Sequence, residues 1–170
     1  AEGLNTTASG DYSHAEGFKT TASGMVSHAE GINTTASGDF SHAEGQNTQA
    51  IGENSHAEGY KSIAYEWCSH TEGSTTKAKN NYAHAEGYNT KASGMSSHAE
   101  GTRTIASGHY SHAEGTHTIA SGENQHAQGK YNISDTSDTY AHIIGNGTDN
   151  SIRSNAHTID WEGNAWFSGD

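Results

Sequence analysis

The sequence predicts an all-β solenoid wound from fourteen-residue coils, each coil holding two short strands. Three observations carry this. The segment Ser13-His14-Ala15-Glu16-Gly17 returns every fourteen positions through nine consecutive copies. A second stretch, Asn5-Thr6-Thr7-Ala8-Ser9-Gly10, recurs between those copies with the same period. In both segments small residues alternate with residues of other kinds, as side chains do on the two faces of a strand. A fixed period held this long is the signature of a repeat architecture.

The composition fits a coil better than a globular core. Apolar residues make up only 30% of the 170-residue chain, glycine is abundant and proline is absent. Ordinary domains carry about 45–50% apolar residues. Low hydrophobicity with a net charge of −12 would suggest disorder, but disorder does not require a phase. The acidic balance disfavours nucleic acid as a partner. No long apolar run exists, so membrane insertion is not expected. Cys68 is alone, which leaves no disulfide framework. Ala1-Glu2-Gly3 reads as the tail of a further copy, so the chain is expected to be a piece of a longer one.

In the first segment Ser13, Ala15 and Gly17 share one face, while Tyr12, His14, Glu16 and Phe18 share the other. Only the small set fits a narrow interior, so His and Glu are expected to point outward. In the second segment Thr6, Ala8 and Gly10 are expected inside, with Asn5, Thr7 and Ser9 in water. Coils stacked at roughly 4.8 Å would give a rod of about 45 Å.

Such a core buries little apolar area at about 25 cal/mol per Å², against roughly 1–2 kcal/mol of backbone entropy per ordered residue. Oligomerisation is the expected remedy. The outward face beside His and Glu also carries Tyr12, Phe18, Val26, Ile32, Phe40, Tyr60, Tyr82, Tyr88 and Tyr110. This face is therefore the predicted interface. Its expected residues are His14, Glu16, His28, Glu30, His42, Glu44, His56, Glu58, His84, Glu86, His98, Glu100, His112 and Glu114, with Ile144 in the last coil.

The Ser-His-Ala-Glu-Gly motif and its Thr-x-Ala-Ser-Gly partner resemble the head repeats of trimeric autotransporter adhesins of the YadA type over residues 1–129. That resemblance implies a homotrimer of left-handed parallel β-rolls. Where those adhesins place Val and Ile, this chain places His and Glu. The polar form is similar to repeats of tail-fibre and neck-appendage proteins of phages and prophages. The implied function is a structural head or shaft of such a fibre in a virion, attaching to a host cell surface. The alternative is an autotransporter-type adhesin on a bacterial surface. A monomeric ice- or carbohydrate-binding solenoid is the reading from another class, and it needs a flat repeated Thr face. The implied partners are two further copies of the chain and a cell-surface receptor or glycan.

His14, His28, His42, His56, His70, His84, His98, His112 and His126 on a threefold axis would form rings of three imidazoles, a ligand set for Zn²⁺ or Ni²⁺. Nothing in the sequence favours one ring over another, so no metal or other cofactor is assigned. A His–Glu ladder between chains is preferred. It would raise the His pKa values above about 6.5 and lower those of Glu below about 4.3, with greatest stability near about pH 5–6. No catalytic residue is expected, because Ser13 and His14 point to opposite faces.

The pattern loosens at Tyr60–Cys68, where Glu66 stands in place of Gly. The expectation is an irregular turn, with Tyr65 and Trp67 as a possible surface patch for a glycan or partner. After Gly129 the period fails, and residues 130–149 read as a capping coil. In it the motif Tyr140-Ala141-His142-Ile143-Ile144-Gly145 arrives two residues late. Residues 150–170 read as a hairpin around Glu162-Gly163-Asn164. This stretch resembles the lead into the self-cleaving chaperone domain of phage appendage proteins. It is expected to leave the roll and pair between chains, with Trp161 and Trp166 in a shared cluster.

Overall fold

The computed structural model describes residues 1–168, and these form strands and turns only. No helix among them is long and apolar enough to cross a membrane. Two sheets face each other through most of the chain. Sheet one has thirteen strands and collects the His-Ala segments, beginning with Glu2–Leu4 and His14–Phe18. Sheet two has nine and collects the segments that begin at Thr7–Ala8 and Thr21–Ala22. Neighbouring strands are parallel and paired at the fourteen-residue period, His14 with His28 and Ala22 with Ala36. The parallel solenoid is therefore as expected.

Its interior is two facing columns of alanine. Ala15, Ala29, Ala43 and Ala57 come from sheet one, and Ala22, Ala36, Ala50 and Ala64 from sheet two; all are fully buried. Thr71 takes one alanine place in sheet one, and the alanine core divides beside it. The constant threonines Thr20, Thr34, Thr48, Thr76, Thr90, Thr104 and Thr118 are buried as well. The Ser13 series also points inward and closes a turn. Ser27 Oγ donates to the Gly24 carbonyl at 2.7 Å and Ser41 Oγ to Gly38 at 2.6 Å.

One inward assignment is corrected. Gly17 lies at the surface with φ of +109°. A Cβ there would stand 2.2 Å from the Gly31 carbonyl oxygen. Glycine is needed for the stacked turn, and not for the interior.

Each coil also bends at two non-glycine residues with positive φ, among them Asn5 and Tyr12, Lys19 and Val26, Asn33 and Phe40. This conformation reverses the amide direction. Strand amides bond to the following coil, as His14 N–H does to the Ser27 carbonyl at 2.9 Å. At the bend, Val26 N–H turns back to the Asp11 carbonyl at 2.7 Å. The backbone donors of a tight turn are satisfied in this way without side chains.

At Glu66 the turn keeps the regular form although Glu replaces Gly. The Ser69 hydroxyl bonds both to the Glu66 carbonyl, at 2.6 Å, and to its amide, at 3.2 Å. In the next coil the Asn80 side chain accepts the Asn81 N–H at 2.9 Å. The expected irregular turn is thus not formed: Cys68 has the positive φ of the other bends, and its N–H bonds to the Glu53 carbonyl at 2.9 Å as Val26 N–H does to Asp11.

The stack ends in an altered coil. His126 pairs with His142, so two extra residues enter it, and Ile143 and Ile144 take the Ala and Glu places. Ile143 is completely buried. Asn155–Asp160 then runs antiparallel to Tyr140–Asn146, and Ala165–Phe167 antiparallel to Asn155–Asp160. The hairpin is confirmed, but its pairing is not as expected. It extends sheet one of its own chain instead of leaving the roll, because Tyr140–Asn146 offers an open edge at the right distance. Trp161 and Trp166 are about half-exposed, with Trp161 Nε1 donating to the Asp138 carbonyl at 3.0 Å. Asp160 Oδ1 accepts the Glu162 and Asn164 amides at 3.0 and 2.8 Å and holds the connecting turn. Gly169 and Asp170 lie outside the described residues.

Candidate interaction surface

The outer face of sheet one carries one continuous column of imidazoles. Because the strands are parallel and in register, every His stands over the next. Ring centroids from His14 to His126 are 4.6–5.0 Å apart, and after the first pair the planes agree within 7°. His142 continues the stack with a tilted ring at 5.1 Å. Beside it runs a column of carboxylates, of which Glu58, Glu72, Glu86 and Glu100 line an open groove with the intervening glycines.

His and Glu meet across coils of the same chain. His112 Nε2 lies 3.4 Å from Glu100 Oε1, His98 3.6 Å from Glu86 and His42 3.7 Å from Glu30. These contacts are charge contacts and fall outside hydrogen-bond geometry. The Nε2 atoms of His28, His42, His56, His70, His84, His98, His112 and His126 are shielded from water and have no hydrogen-bond partner in the chain.

Four histidines of this face are shifted down within the single chain. Burial, followed by repulsion from neighbouring imidazoles, holds His56 and His98 below the ordinary value, and His84 down to about 4. Burial also lowers His142. Opposite charges at 3.4–3.9 Å do not offset a stack of like groups shielded from water. The carboxylates interact similarly. Sharing its proton with the Glu72 and Glu100 carboxylates, which accept, raises Glu86 to about 8, while Glu72 and Glu100 are lowered by the same contacts. Glu86 therefore keeps its proton between two ionised neighbours.

Sets such as His84, Glu86 and His98 bring one ligand atom each within 4.8 Å of one another. Stacked parallel rings aim their Nε2 lone pairs side by side, whereas a tetrahedral ion at about 2.0–2.1 Å needs them to converge. The column alone is thus a poor chelate, and a ring of three imidazoles would need three chains.

Apolar rows flank the columns. Tyr12, Val26, Phe40, Tyr82 and Tyr110 stand at the bend before His, and Phe18, Ile32, Tyr60 and Tyr88 follow the Glu-Gly pair; all are exposed. Tyr65 and Trp67 make separate contacts. Trp67 packs edge-on against Tyr82 at 5.0 Å, while Tyr65 lies on sheet two beneath the Lys79 ammonium at 5.8 Å. Among the described residues no outward Thr row runs the length of the stack. The constant threonines are buried, and the outward row Thr7, Thr21, Thr35 gives way to Gln49, Ile63 and Lys77.

Sequence reasoning missed two features of this surface. The bends of positive φ were signalled by the asparagines at Asn5, Asn33, Asn47, Asn54, Asn89 and Asn124, a residue that tolerates this conformation. The placement of Lys77 and Lys91 on sheet two was legible from the same face alternation that placed His.

The family model of the YadA head domain repeat matches residues 29–48, 43–65 and 99–124. No curated protein matches the chain. The matched segments are similar to YadA head repeats, and they fall on parallel coils with alanine columns and in-register strands.

Proposed function

We propose that the chain is the head or shaft of a homotrimeric surface fibre, three rolls packing sheet one toward a common axis. The observation that carries this is the pair of exposed apolar rows that flank the His and Glu columns on the outer face of sheet one. Exposed apolar rows of this extent mark association sites. The predicted interface residues, His14 to Glu114 and Ile144, lie on this face.

In this reading the chain is extracellular and serves attachment rather than catalysis. The serine hydroxyls of the motif face inward and bond to turn carbonyls, away from the imidazoles. The Ser-His-Ala-Glu-Gly repeat favours a phage or prophage tail fibre or appendage. An autotransporter-type adhesin shares the architecture. Light scattering tests the assembly: a particle of three times the 17.9 kDa chain mass is expected, and a stable single chain at micromolar concentration overturns it.

A further inference from the structure

We propose that the outer face of sheet two, across the coils bearing Lys61, Lys77, Lys79 and Lys91, binds a linear polysaccharide carrying carboxylated sugars. The chain has only eight Lys and Arg against twenty acidic residues, and half of these cations fall within this one stretch. The fold gathers them further. Lys77 and Lys91 are direct partners on adjacent parallel strands. Lys79 lies two residues beyond Lys77 on the same face, and Lys61 at the bend leading into Ile63–Ala64 of the preceding coil. Successive coils are about 4.8 Å apart, so the ammonium groups form a short ladder across three of them.

No carboxylate neutralises this ladder. Among the described residues every ion pair within 4.0 Å joins a His to a Glu on sheet one. Like charges placed directly opposite in a sheet are destabilising, and nothing in the packing of these coils requires lysine. The coils before them place Thr21, Thr35 and Gln49 at the position of Lys77. The partner is therefore expected to be anionic.

An aromatic plate lies within the ladder. The Tyr65 ring, half-buried on the same face, sits under Lys79 Nζ at 5.8 Å. Cations beside a flat aromatic surface suit a polymer whose rings are apolar on one side and charged at the rim. A densely charged nucleic acid fits less well, because the rest of the chain, at net −12, would repel it.

The inference rests on the proposed function in one respect, that sheet two is the face left open in the trimer. The test is binding of the intact chain to polygalacturonate at low salt, with neutral dextran and single-stranded DNA as comparisons. Lys77→Gln with Lys91→Gln is expected to weaken polygalacturonate binding about tenfold, and added salt to weaken it further. The control pair Lys19→Gln with Lys130→Gln, distant in the stack, should change it by less than about twofold. Equal binding by both pairs overturns the proposal, as does preference for DNA or dextran. A trimer indifferent to polygalacturonate refutes this inference alone. A monomer that binds it through Lys77 and Lys91 refutes the trimer alone.

Discussion

Gln125 occupies the place that serine holds in most earlier coils, and its Nε2 donates to Asp135 Oδ2 at 3.2 Å and to the Tyr140 carbonyl at 2.8 Å. Its Oε1 accepts the Ser121 amide at 2.9 Å. Asp135 in turn accepts the Tyr140 amide at 2.7 Å. One buried side chain thus ties the last regular coil to the altered one. Restoring the repeat with Gln125→Ser should remove these bonds and leave Asp135 with one donor fewer. A loss of about 1–3 kcal/mol is expected in urea unfolding, and an unchanged midpoint would show that the altered coil holds itself.

Ala57 is fully buried between the two alanine columns. Ala57→Leu adds volume where the facing strand has none to give. It should cost about 1–3 kcal/mol, read as a lower melting temperature. Equal melting would mean that the columns are looser than their burial indicates.

Val26 sits at a bend with φ of +56°, a conformation that costs a β-branched residue about 1–2 kcal/mol. Val26→Asn keeps the backbone hydrogen bond to Asp11 and relieves that strain, so the isolated chain should gain about 1 kcal/mol. In the trimer the same change removes an apolar side chain from the proposed interface. Melting of dilute and concentrated samples separates the two effects.

The pH dependence follows from the shifted groups. His56, His84, His98 and His142 have lowered pKa values in the fold. The unfolded chain therefore takes up protons below 6.5 that the fold resists, and stability falls as pH drops from 6.5 toward the folded value, about 4 for His84. Glu86, raised to about 8, acts in the other direction. Its stabilisation is full below 4.5 and is lost as pH rises through about 8. Glu72 and Glu100, lowered by Glu86, lose their contribution only below 4.5. Four histidines outweigh one glutamate on the acid side, so the melting temperature should peak near 6.5, above the range expected from His–Glu pairing. Glu86→Gln should flatten the alkaline decline. A peak at pH 5 would restore the charged ladder.

Most of the fold was legible because a two-residue alternation leaves few choices when only Ala, Ser, Thr and Gly fit inside. Ala15, Ser27 and Thr20 are where that rule puts them, and Ala127 and Ile143 pair as the altered spacing implies. The rule fails where φ is positive. Gly17, within the strand His14–Phe18, has a φ of +109°, and there φ, not parity, decides where a residue points. His and Glu were rightly placed outward, but their pKa values depend on how many like groups stack at 4.6–5.0 Å, a sum that no single motif displays. The pairing of Asn155–Asp160 with Tyr140–Asn146 was missed for another reason. An apolar strand does not reveal in sequence which edge it will join.

The in-register stacking of identical coils makes the molecule a ruler. Every coil presents to the next the same two strands that it receives, so adding or removing one fourteen-residue unit leaves each remaining contact intact. The reach of the rod then changes in steps of about 4.8 Å per unit. The antiparallel strand after Tyr140–Asn146 fixes one end of the scale, because a parallel coil has no free edge there to join. Gain or loss of repeats in the gene would thus set how far the particle extends, without a change in how it folds.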